Sequence, residues 1–156
     1  MGDLLRSPFP SLARINPELY AEPFWDAARE HRFVCQKCAD CGQFRMPPAP
    51  YCWKCRSAAA AWDTVPGTGT VYSYTVVDYT LSADITQEDL PYVPVIVKLD
   101  GTDEQKFIGL LVGEGNTAVK IGDRVETIWD DVEGIDVTVP RFCISTNGAS
   151  TSGAST

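Results

Sequence analysis

Residues 35–55 read CQKCADCGQFRMPPAPYCWKC, a run that holds five of the six cysteines in the chain. Within it, Cys38-Ala-Asp-Cys41 and Cys52-Trp-Lys-Cys55 form two C-x2-C pairs with ten residues between them. Each pair turns two sulfurs toward one point, and two facing pairs build a tetrahedral cage. Cys35 competes for a place, because Cys35-Gln-Lys-Cys38 has the same spacing. Gly42 decides against it. A metal knuckle bends sharply after its second cysteine, and glycine accepts positive φ without steric cost. The expected ligands are therefore Cys38, Cys41, Cys52 and Cys55, with Cys35 a spare thiol in the strand leading in.

Four thiolates suit zinc, and a closed shell of protein ligands leaves no position for water or substrate. The expected ion is structural. An iron site would use the same ligands, but Arg56 stands after Cys55 where a second glycine would be expected for it. Closely spaced cysteines are metal ligands more often than disulfides in a reducing compartment. The opening MGDLLRSPFPSLARI lacks the continuous apolar core of a signal peptide, and no apolar run approaches the roughly 18 residues of a membrane span. The expected location is the cytoplasm.

The net charge of −8 is unevenly spread. From Arg29 to Arg56 there are six basic and two acidic residues, whereas from Trp62 to Ile144 there are five basic and fifteen acidic. Nucleic acids bind basic fields, and most of this chain repels phosphate. A zinc ribbon followed by a barrel with Tyr72 and Tyr74 as stacking platforms is the form a single-stranded nucleic-acid module would take; the acidic barrel argues against it.

Two helical stretches are expected before the cysteines. Asn16 and Pro17 suit a helix start, and Pro23 begins a second stretch, in which Phe24, Ala27, Ala28 and His31 share a face. Beyond the cysteines, strand signals alternate with turns: Thr70–Val77, Tyr92–Leu99, Lys106–Val112, Asp123–Trp129 and Ile135–Ile144. Val93, Val95, Val97 and Leu99 alternate as in a half-buried strand. The expected fold is mainly β: an N-terminal helical segment over 1–33, a ribbon over 34–62, a five-stranded OB-type barrel over 63–144 with an SH3-like barrel or small sandwich as the runner-up, and a low-complexity tail over 145–156. Residues for catalysis are sparse. His31 is the single histidine, Cys143 reads as a buried strand thiol, and no glycine-rich phosphate loop is present.

The order PFWDAAREHRFVCQKCADCG, MPPAPYCWKCRS, WDTVPGTGTVYSYTVV, VKIGDRVETIWDDVEG and VPRF resembles a family once labelled a domain of unknown function, which joins a rubredoxin-like zinc ribbon to an OB-fold and accompanies acyl-CoA enzymes. The resemblance implies a non-catalytic partner of a thiolase-like enzyme in a hetero-oligomer. The first choice of partner is an aldolase that cleaves a β-hydroxyacyl-CoA such as a steroid side chain. Alternatives are a β-ketoacyl-CoA thiolase and hydroxymethylglutaryl-CoA synthase. It supports the four cysteine ligands, places Gly67, Gly69 and Thr70 where the chain enters the barrel, and places Pro140, Arg141 and Phe142 where it leaves. With an acyl-CoA as ligand of the complex, Arg45, Lys54 and Arg56 become candidate contacts for the phosphates of coenzyme A. Phe24, Trp25, Tyr72, Tyr74, Arg141 and Phe142 become candidates for the partner interface.

Overall fold

The computed structural model describes residues 20–80, 87–132 and 136–145. The expected Asn16 helix start, and all of the tail beyond residue 145, lie outside them. Helix α1 (Glu22–Arg29) has Pro23 in its first turn, with Glu22 at its positive end and Arg29 at its negative end. Its buried face is Phe24, Ala27 and Ala28. His31 has left that face. The amides of His31 and Arg32 donate back to the carbonyls of Ala28 and Ala27, and His31 sits at φ 56°. This double return bond closes the helix two residues before the apolar spacing suggests, with His31 at a position glycine usually fills.

The ribbon is a three-stranded antiparallel sheet in the order β2 (Phe44–Arg45), β1 (Val34–Cys38), β3 (Ala60–Thr64). Strand β3 runs across the expected 62/63 boundary, so ribbon and barrel share a strand's worth of chain. The barrel is closed in the order β4 (Thr68–Tyr74), β5 (Val93–Leu99), β6 (Lys106–Leu111), β8 (Thr138–Ile144), β7 (Arg124–Asp131), with β7 returning to β4. All pairings are antiparallel except β6 with β8. This is the five-stranded Greek-key barrel of OB type. The alternation in β5 sends Val93, Val95, Val97 and Leu99 inward, each 3% exposed or less. Strand β4 ends at Tyr74, earlier than its β-rich sequence suggests: its register slips between Val71 and Ser73, pairing resumes at Ser73 and Tyr74, and beyond them only an isolated bridge joins Val77 to Tyr92.

Close backbone approaches fix two glycines. A Cβ on Gly69 would lie 2.3 Å from the Lys98 carbonyl oxygen, and one on Gly109 would lie 2.7 Å from the Phe142 ring. One apolar core runs through all three parts. Phe24 stacks edge-on against Phe33, Phe33 against Phe107, and Phe107 against Phe142, with centroids 5.7, 5.2 and 6.0 Å apart. Helix, ribbon and barrel are thus held together by aromatic packing that no single element could bury alone.

Candidate metal centre and its surroundings

The two cysteine knuckles are built alike. In the first, the Cys38 amide donates to the Gln43 carbonyl and the Gly42 amide to the Cys38 carbonyl; in the second, Cys52 donates to Ser57 and Arg56 to Cys52. The residue after each second cysteine takes positive φ, 72° at Gly42 and 66° at Arg56. The second turn therefore adopts the knuckle conformation with an arginine where glycine would be unstrained.

These turns bring the sulfurs of Cys38, Cys41, Cys52 and Cys55 within 4.8 Å of one another, with Cys38 to Cys55 at 3.5 Å and Cys41 to Cys52 at 3.6 Å. A tetrahedral zinc with Zn–S bonds of about 2.3 Å needs sulfur separations of about 3.8 Å, so the donor set fits a structural zinc. The backbone prepares the leading cysteine of each pair. The Cys41 and Asp40 amides hold the Cys38 thiol low, and the Cys55 and Lys54 amides bring Cys52 down to about 6. Cys55 receives the Ser57 amide, yet the Cys41 sulfur, partial burial and the sulfurs of Cys38 and Cys52 push it up to about 12. Four thiolates this close repel one another unless a cation neutralises them. Cys35 stays outside the cluster. It is wholly buried in β1, and burial pushes its thiol up to about 12. Cys143 is half-buried, and burial, then Glu126, raises its thiol as well.

The remaining candidate residues fall in different settings. Lys54 and Arg56 are exposed on the second knuckle beside Trp53, 70% exposed, and Tyr51. Arg45 is interior instead: it is 3% exposed and donates to the carbonyls of Ala49 and Ala59. It therefore offers no surface charge to a phosphate, because its position on β2 turns it under the loop from Met46 to Tyr51. Among the proposed interface residues, Tyr72 is exposed, with the ammonium groups of Lys106 and Lys98 over its ring at 4.7 and 5.7 Å. Trp25 and Tyr74 are half-buried. Phe24, Phe142 and Arg141 are interior groups of this chain, not surface anchors. The two rings belong to the aromatic core, and Arg141 is buried against Asp130 at 3.2 Å.

Sequence reasoning missed the part played by His31. Its Nε2 lies 3.0 Å from both carboxylate oxygens of Asp131, and its ring stacks on Trp129 with centroids 5.8 Å apart. It clips the end of α1 to β7. Nothing local in the sequence marks a pair one hundred residues apart.

Two family profiles match the chain: "ChsH2, rubredoxin-like zinc ribbon domain" over residues 25–60 and "ChsH2, C-terminal OB-fold domain" over residues 62–130. A solved chain titled "Ltp2-ChsH2(DUF35) aldolase" superposes with a TM-score of 0.73 at 30% identity, over 84% of this chain and 98% of that one. The chain belongs to the ChsH2 family. Among curated relatives, a probable enoyl-CoA hydratase alpha subunit of Thermomonospora curvata is 37% identical over 76% of this chain and 36% of its own length. The 3-oxo-4,17-pregnadiene-20-carboxyl-CoA hydratase alpha subunit of Mycobacterium tuberculosis is 30% identical over 69% and 33%. The chain thus spans about a third of the length of the curated relatives it matches. A DUF35 protein of unknown function from Sulfolobus solfataricus shares the fold, with a TM-score of 0.58 at 16% identity. Among the described residues, no helix is long and apolar enough to cross a membrane.

Proposed function

We propose that this chain is a non-catalytic subunit of a thiolase-like acyl-CoA enzyme, an aldolase that cleaves a β-hydroxyacyl-CoA by a retro-aldol step. The observation that carries the reading is the structural match: the chain superposes with a TM-score of 0.73 at 30% identity on a solved chain described as an Ltp2-ChsH2(DUF35) aldolase. The site chemistry agrees. Four cysteine ligands would close the coordination shell of a zinc ion, which supplies folding energy. Among the described residues, no serine or cysteine side chain hydrogen-bonds to His31. In this reading the ribbon's second knuckle helps hold the coenzyme A portion, with Lys54 and Arg56 near its phosphates and Trp53 beside them. Trp25, Tyr72 and Tyr74 belong to the partner-facing surface.

A second reading has a specific observation behind it: the higher identity, 37%, is to a hydratase alpha subunit. The chain would then serve as the ribbon and barrel module of a hydratase assembly. Co-expression with a thiolase-like protein from the same source, followed by co-purification and assay on a steroid-derived β-hydroxyacyl-CoA, separates the two. The aldolase reading expects a stable complex that forms aldehyde or ketone product, with no turnover by the chain alone. Turnover by the isolated chain, or a complex that only hydrates an enoyl-CoA, refutes it.

A further inference from the structure

Arg45 is a buried cation that no carboxylate among the described residues neutralises. Its β1 register partner, Gln36, is itself buried and accepts the Ala49 amide at 2.8 Å. The guanidinium gives one nitrogen to the Ala49 carbonyl at 3.1 Å and another to the Ala59 carbonyl at 3.3 Å, and its Nε has no partner. No carboxylate pairs with it among the described residues. A guanidinium removed from water needs an opposing charge, because carbonyl dipoles replace hydration only in part.

The fold puts such a charge within reach. With Gln36 opposite Arg45 and Lys37 opposite Phe44, the next pair in register is Cys38 opposite Gln43. Side chains two apart on a strand share a face, so Cys38 and Arg45 are diagonal neighbours on one face of the β1–β2 pair, with Cα atoms about 7–8 Å apart, a span an arginine covers. Both are buried. The Ala59 carbonyl that accepts from Arg45 also accepts from the Ala39 amide at 3.2 Å, next to Cys38 in the first knuckle. A divalent ion on four thiolates leaves a centre of charge −2, whereas four protonated thiols are neutral.

We infer that Arg45 is the internal counter-cation of the metal-loaded four-cysteine centre, holding it in the divalent-ion form and raising its affinity for metal. The inference rests on the metal reading of the cysteine cluster. It makes Arg45 a positioning residue that acts on the centre through charge, distinct from the exposed Lys54 and Arg56, which water screens.

The test uses the full chain, zinc as the probe, and competition with a chromophoric chelator. Arg45→Met keeps the length and apolar stem but removes the charge; Arg45→Lys keeps the charge and loses the paired carbonyl bonds. The expected result is a loss of zinc affinity of about tenfold or more for Arg45→Met and of less than about threefold for Arg45→Lys. In a Cys55→His background, whose loaded centre carries one negative charge fewer, Arg45→Met should cost less affinity than in the parent. A purely structural arginine would show no such dependence on the centre's charge. Parent-like zinc affinity in Arg45→Met, equal losses in the two variants, or the same loss in the Cys55→His background overturns the inference. If Arg45→Met does not fold, Arg45→Lys decides: retention supports the inference and a tenfold loss overturns it. A parent chain that takes up no zinc overturns both this inference and the metal reading.

Discussion

Removing the carboxylate of Asp130 should be among the most damaging single changes to the barrel. Arg141 lies on β8, where its neighbours in sequence, Pro140 and Phe142, are buried too. Its Nε and one terminal nitrogen both reach the same Asp130 oxygen on β7 at 3.2 Å, and the two side chains are only 7% and 14% exposed. Desolvation pulls the arginine's affinity for its proton down, and the Asp130 charge restores part of it. Asp130→Ala leaves that guanidinium buried and unpaired, which costs about 3–5 kcal/mol. A domain of this size has a total stability of about 5–15 kcal/mol, so the variant should sit near the threshold of folding. At a few degrees of Tm for each kcal/mol, thermal unfolding should begin more than about 10 °C lower than in the parent. The double change Asp130→Leu with Arg141→Met removes both charges while keeping apolar volume, and should recover most of the loss. Urea unfolding of the parent, Asp130→Leu, Arg141→Met and the double variant gives the coupling directly. If Asp130→Ala costs under about 1 kcal/mol, or the double variant is no better than the single one, the pair is not the desolvated ion pair described here.

Chelation of the loaded chain should unfold the ribbon sheet, seen as lost protection of the β1 and β3 amides in hydrogen exchange, because metal binding energy is folding energy in such modules. Gly69→Ala should abolish soluble folded protein, since its Cβ would meet backbone at 2.3 Å; Gly109→Ala should be milder, because the Phe142 ring it meets at 2.7 Å can tilt. Circular dichroism and expression yield separate the two. Arg124 donates to Asp100, and with Thr68 it holds that carboxyl below its ordinary value. The sign follows: this stabilisation is present above the ordinary aspartate value of about 3.9 and is lost as pH falls through the lower, folded-state value. Arg124→Ala should therefore flatten the acid limb of the stability profile below about pH 4, and an unchanged limb in acid titration would contradict the assignment.

The parts legible in the sequence are those governed by local chemistry. The C-x2-C spacing with Gly42 marked the knuckles, because turn geometry and thiol reach operate over a few residues. The alternation of β5 named its inward face, since a closed barrel has one interior. Positions set by distant contacts were misplaced. Phe24, Phe142 and Arg141 looked like spare bulk and charge for a partner, but each is taken up within the fold, by the aromatic core or by Asp130. Arg45 read as a surface cation because an arginine is rarely fully buried, and only the β1–β2 register turns it inward. His31 followed the helical period, yet the return hydrogen bonds to Ala27 and Ala28 ended the helix first.

By itself, then, the sequence determined that two cysteine knuckles precede a small β-barrel, since short-range spacing and period-two alternation are properties of neighbouring residues. Tertiary structure alone decided which charges lie inside and which rings remain exposed. Burial depends on which elements meet, and pairs such as His31 with Asp131 are joined only when the chain has closed on itself.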